Sequence, residues 1–336
     1  MKSGKFFEYI IALSLILVVI VVTYKLFIKD NSKLDNSTPA SKVASELVEK
    51  QRNKAVSKGI EWLIKNKDSV KPSDAVVTLL NLYKTTNDPK ISEELSVIIK
   101  EKSAKIEIID TDFDTKNKKY LDWNNLKEVY YSLQRKKCKN QEYKKDLEKF
   151  EKYLSENKDK IFSDKTNLHS KLIVSYQLKN MEIDLDNYYS SVISEIRLKY
   201  GLLNNPKADD YKANLYLLTH LILAESGYFD KYLDASLYPL EATEAKKALN
   251  NFSSENFDDQ SVDITSELLT SLKILKIAPS ESTALLHKKL MSLQNTDGSW
   301  GGSRDIAVKF HNVAVATLAL MEFTPEPREG KTYCFY

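Results

Sequence analysis

Glycine and proline are scarce in this chain, with eight of each in 336 residues. So few turn-formers exclude a collagen-like, low-complexity or many-turned β chain. Cysteine is scarcer still: the only two are Cys138 and Cys334. That excludes a disulfide-built scaffold, and their separation excludes a CxxC metal or redox motif. Pairing in an oxidising compartment and two free thiols both remain open. Excess charge is lacking as well, because 50 Lys+Arg stand against 47 Asp+Glu for a net charge of +3. The two signs are interspersed, so there is no basic stripe of the kind that nucleic acid requires.

Apolar residues are what the chain does have, at 42%. One block of them is continuous. From Tyr9 to Tyr24 there is no charge, and the apolar run extends from Phe6 to Ile28, matching the ~17–25 residues that span a bilayer. Tyr9 and Tyr24 sit where interfacial aromatics belong, and no small-x-small cleavage site follows directly. The expected organisation is a tail (1–5), a transmembrane signal-anchor (6–28), a polar linker (29–40), a folded domain (41–325) and a C-terminal tail (326–336). Lys2 and Lys5 on one side nearly balance Lys25, Lys29 and Lys33 on the other, so charge alone does not orient the span. A short tail ahead of a large domain stays in the cytoplasm. The expectation is therefore a single-pass protein with an extracytoplasmic domain, whose partners are the membrane and an unidentified ligand or protein.

Beyond the linker, helical periodicity dominates. The spacing predicts twelve helices, near 41–65, 73–84, 92–106, 123–137, 142–155, 167–179, 186–199, 208–225, 241–250, 263–276, 282–293 and 311–323. Weak self-similarity groups them in pairs: AVVTLLNLY (75–83) matches AVATLALME (314–322). Six pairs, each with two apolar faces, bury their ends by closing into a ring; an open superhelix of repeats is the rival arrangement.

Between the last two helices lies Gln294-Asn295-Thr296-Asp297-Gly298-Ser299-Trp300-Gly301. This resembles the Q-x-x-D-G-x-W-G repeat of squalene cyclases and protein prenyltransferase β-subunits, and the following FHNVAVATLALMEF is similar to the inner helix that comes next in that superfamily. The resemblance implies an all-α (α/α)6 toroid, a terpenoid cyclase-like, prenyltransferase-like fold. It also implies where ligands should gather, at the N-terminal ends of the inner helices.

Polar residues do collect at those predicted helix starts: Asp74, Asp122, Asn124, Asn125, Asn167, His169, Asp209, Asp210, Asn214, Asp263, Glu267, His311 and Asn312. Asp, Asn and Ser there also serve as helix caps. His220, amid Leu217, Leu218, Leu221 and Ile222, reads as a core or cavity-wall residue. In the prenyltransferase β-subunits the resemblance places a zinc-ligand histidine at His311 and an Asp-x-Cys ligand pair at Asp263-Ile264-Thr265, so the thiolate is replaced by threonine, a poor zinc ligand. The cyclase D-x-D-D acid is absent, and Asp110–Asp114 has the wrong spacing. The complement-type C-G-E-Q is missing too. With these signatures absent or broken, the leading expectation is a toroid that binds a ligand or partner without the parent chemistry. A divergent isoprenoid- or lipid-directed transferase or cyclase, and a toroid polysaccharide lyase or hydrolase, are the alternatives. The candidate catalytic residues are His311, Asp263 and Glu267. The candidate ligand contacts are Asp297, Trp300, Arg304, Asp305, Asn312, His169 and Asn214. Asp263 and His311 are the metal candidates, with no cofactor as the first expectation and zinc as the one that the resemblance implies.

Overall fold

A computed structural model describes residues 39–107, 123–139, 143–163, 167–183, 185–207, 209–253 and 261–322. The expected anchor at 6–28, both tails and Cys334 lie outside them. Among the described residues no helix is long and apolar enough to cross a membrane. The chain divides into two compact units between Gln51 and Arg52. Only the opening of the first helix is described in the first unit, and everything below concerns the second.

The described residues form α-helices, one 3-10 turn and no strand. The helices are α1 (Pro39–Asn66), α2 (Pro72–Thr85), α3 (Pro89–Ser103), α4 (Trp123–Cys138), α5 (Tyr143–Ile161) and α6 (Leu168–Asn180). They continue as α7 (Tyr188–Leu198), α8 (Tyr211–Glu225), α9 (Pro239–Ser253), α10 (Val262–Ile274), α11 (Glu281–Ser292) and α12 (Ile306–Leu320). Each predicted helix is present, with shifted ends. α3 begins at Pro89 because Asp88 caps the Lys90 and Ile91 amides and proline is at home in a first turn. α12 begins at Ile306, with the Asp305 side chain accepting from Ala307 N, so His311 lies in its second turn rather than opening it.

Two kinds of helix alternate. α5 is amphipathic: Phe150, Tyr153, Leu154, Asn157 and Ile161 are buried along one stripe, while most of its lysines and glutamates face solvent. α8 is buried nearly all round, at Leu215, Leu217, Leu218, Leu221, Ile222, Leu223 and Ala224. The even-numbered helices touch in succession, α4 to α6, α6 to α8, α8 to α10, α10 to α12, and α12 to α2. α2 and α4 are joined by the Lys127–Asp74 ion pair at 2.8 Å and by Ser73 Oγ donating to Glu128 at 3.0 Å.

The loop between α11 and α12 explains why its residue types are needed. The Trp300 indole is fully buried and donates to Leu290 O at 2.8 Å, closing the end of α11. Gln294 Nε2 donates to Ala55 O at 2.9 Å and to Gly298 O at 3.1 Å, stitching the loop to α1. Asp297 accepts from Ser299 N at 2.9 Å and from the Trp62 indole at 3.3 Å. Gly298 has φ +92°, and a Cβ there would meet Lys58 O at 2.5 Å, so only glycine fits. Cys138, at the end of α4, is disulfide-bonded.

Candidate functional site

α10 carries Asp263 and Glu267 one helical turn apart. Residues at i and i+4 share a face, so both carboxylates point the same way, toward α12. Across from them, His311 Nε2 lies 3.0 Å from Asp263 Oδ1 and 3.7 Å from Glu267 Oε1. One donor atom from each of the three residues falls within 4.8 Å of the other two.

The second oxygen of each carboxylate is tied back to α8. Tyr216 donates its hydroxyl to Asp263 Oδ2 at 2.7 Å, and Thr219 donates to Glu267 Oε2 at 2.6 Å. His220 Nδ1 stands 3.4 Å from that same Oε2 and 2.9 Å from Tyr216 O. A carbonyl only accepts, so Nδ1 of His220 carries the hydrogen. On the far side of His220, the His169 ring from α6 packs edge to face with a centroid separation of 4.3 Å. Four successive even-numbered helices thus contribute to one polar run, which holds three of the four histidines of the chain.

Burial grades across the cluster: the side chains of Glu267, Asp263 and His311 are 2%, 23% and 50% exposed. His311 forms the accessible edge. Desolvation is the largest influence on its imidazole and would lower its pKa. The contacts with Asp263 and Glu267 and their charges together outweigh it, and the pKa rises to about 10. Burial would raise the pKa of Asp263, but the His311 contact and charge, helped by the Tyr216 hydroxyl, hold it below the ordinary carboxylate value. Burial, reinforced by the charges of His220 and His311, pushes His169 down to about 3. The Tyr216 phenol moves up, through burial and the neighbouring Asp263 charge.

The arrangement suits a divalent cation. Asp263 Oδ1 is buried without an aligned hydrogen bond, although a cationic imidazole stands beside it. Ligands about 2 Å from a common zinc lie roughly 3–3.5 Å apart, and the observed 3.0 and 3.7 Å separations bracket that range. Each carboxylate offers one oxygen while the other is held by a hydroxyl, the outer-shell pattern that orients metal ligands. Imidazole and carboxylate together favour zinc and its first-row neighbours.

The structure brings Asp263, Glu267 and His311 together and sets His169 next to their supporting shell. The other candidate residues are placed differently. Trp300 and Asp297 are occupied in the α11–α12 loop, and Asp305 caps α12. Arg304 is exposed. Asn312 is buried, and Asn214 is buried with its amide nitrogen unpartnered. Tyr216 and Thr219 were not anticipated. Their signal is the spacing Tyr216, Thr219, His220, which lies on one face of α8, opposite the i, i+4 carboxylates of α10. No family model, no curated protein and no solved structure matches this chain.

Proposed function

We propose that this protein is a membrane-anchored, extracytoplasmic (α/α)6 toroid of terpenoid cyclase-like type, which binds a ligand at a divalent-metal centre formed by Asp263, Glu267 and His311. The observation that carries the metal reading is the division of labour in the carboxylates, one oxygen tied to an α8 hydroxyl and the other facing His311 Nε2. The toroid is supported by the succession of even-numbered helices, each in contact with the next and the last with the first, and by the Gln294–Gly301 loop that ties the end of α11 to α1. A disulfide-bonded Cys138 fits an oxidising compartment. The anchor rests on the Phe6–Ile28 run alone.

Bound there, a divalent ion supplies Lewis acidity and coordination positions open to a ligand oxygen or nitrogen. The chain's own residues have distinct tasks. Tyr216 and Thr219 fix the carboxylate rotamers, and Glu267 anchors the buried side. His311 must shed its proton to become a donor. Thr265, where the resemblance puts a thiolate ligand, is fully buried, and its hydroxyl has no partner. That supports binding without prenyl-transfer chemistry.

Elemental analysis of the full chain, purified in detergent without chelators, tests the proposal. At least one transition-metal ion per chain is expected, lost in His311→Ala and in Glu267→Gln with the helical circular dichroism intact. Metal-free protein that takes up no zinc or cobalt on dialysis would reduce the cluster to a helix–helix tie.

A further inference from the structure

Cys138, at the end of α4, is disulfide-bonded, and the chain holds one other cysteine, Cys334. Asp74 and Lys127, paired at 2.8 Å, join α2 and α4 near their starts. The last turns of both helices therefore lie at one end of the pair, and Cys138 shares that end with the α2–α3 turn. A groove of about 500 Å³ opens on this turn, with Tyr83, Thr86, Asn87, Asp88 and Ser92 in its wall. Tyr83, Asn87 and Ser92 each have an interaction partner. No side-chain hydrogen bond, ion pair or ring contact among the described residues supplies one, so the partners belong to chain outside those residues.

We propose that Cys138 pairs with Cys334 of the same chain, and that the segment 323–334 lies in the α2–α3 groove as a covalently fastened strap. Its route is fixed at both ends. It starts where α12 gives out, beside the Arg52–Glu322 ion pair, and it ends at Cys138. Between them stands α2, in contact with α12 and paired to α4. Two steps between neighbouring helices cover about 16–20 Å. Twelve extended residues reach about 40 Å, so the segment has slack to follow the groove. Its composition suits an extended path, because Pro325 and Pro327 do not continue a helix and favour a polyproline-like course. The bond forms by exchange with a protein disulfide of an oxidising compartment. Both thiols lose their protons and one S–S bond is made, while the donor disulfide takes up two electrons and two protons and leaves as a dithiol. The strap fastens the last helix of the domain to α4 across α2, and its reduction opens the groove. None of this depends on the metal reading of the Asp263–Glu267–His311 cluster.

The test is disulfide mapping of the full chain in detergent, with free thiols alkylated by N-ethylmaleimide at lysis. Unreduced peptides should show Cys138 joined to Cys334, in a chain that runs as a monomer on a non-reducing gel. Alkylated thiols at both positions, or a dimer joined through Cys138, overturn the pairing. Limited trypsin digestion then reads the groove, since Arg328 and Lys331 are cleavage points within the strap. Cleavage requires local opening, so cutting there should be at least about ten-fold slower in the oxidised wild type than in Cys334→Ser. A photo-crosslinker placed at Ser96, on the groove wall, should capture the 323–334 segment. Equal trypsin rates, or a crosslink only to another segment or to a second protein, overturn the strap. If Cys334→Ser melts early, wild type reduced with dithiothreitol and then alkylated takes its place, with the same contrast in rate expected.

Discussion

His311 is the residue on which the site turns, because on the proposed reading its proton and a metal ion would compete for the same nitrogen. In the metal-free protein its pKa is raised from 6.5 to about 10. A group whose folded pKa is raised stabilises the fold fully below its unfolded pKa, and that stabilisation fades as pH climbs through the folded value. Metal-free protein should therefore lose stability through its His311 contribution between about pH 6.5 and 10. The side chain is half open to solvent, so the effect is screened, and a fall of a few °C in melting temperature is expected. His311→Gln should remove that part of the slope; an unchanged pH profile would show that the imidazolium–carboxylate contact does not stabilise the fold. Trp300 gives a sharper prediction. Its indole is fully buried and holds Leu290 O, so Trp300→Ala should cost about 3–5 kcal/mol in a denaturant titration. A loss below about 1 kcal/mol would mean that the α11–α12 loop is not a core element.

At the scale of helices, α10 and α12 are tied at both ends. The triad joins them near their N-terminal halves. At the other end, buried Lys273 of α10 donates to Leu318 O at 3.1 Å, to Ala319 O and to Met321 O at 2.7 Å, capping the last turn of α12. Burial first, then the charge of Arg52, lowers the Lys273 pKa to about 7, with Glu322 partly opposing; His287, itself lowered to about 4 mainly by burial, faces the same group. A depressed folded pKa contributes stability above the unfolded value and loses it as pH falls through the folded one. Between about pH 7 and 10.5 Lys273 therefore raises stability with pH, opposite in sign to His311. Lys273→Met should remove this rising component and speed amide exchange in the last turn of α12; unchanged exchange there would refute the capping role. Helix type and number were legible in the sequence, because stripes such as Phe150, Tyr153, Leu154 and Ile161 repeat at helical spacing. The pairing of His311 with Asp263 was legible only through the Gln294–Gly301 loop and what it resembles. The rest depends on tertiary contact: Lys273 looks like any surface lysine until α12 ends over it, and Tyr216 becomes a support only when α8 faces α10.

For the whole molecule, the question is whether twelve helices close on themselves. Each even-numbered helix is buried on more than one face, and α2 meets both α12 and the α4 ion pair. In an open superhelix the first and last of them would each leave an apolar face to solvent, as terminal repeats do without polar caps. Solution scattering distinguishes the two. A truncation beginning at Ser41 has no anchor and should be soluble, with circular dichroism dominated by helix. For its folded domain of about 285 residues, a compact ring should have a radius of gyration of about 19 Å. An extended superhelix of the same length should exceed that by several ångströms and give an asymmetric, long-tailed distance distribution. The longer value, obtained on monodisperse protein, would remove the toroid and with it the reason for reading α2 and α12 as neighbours in a closed ring.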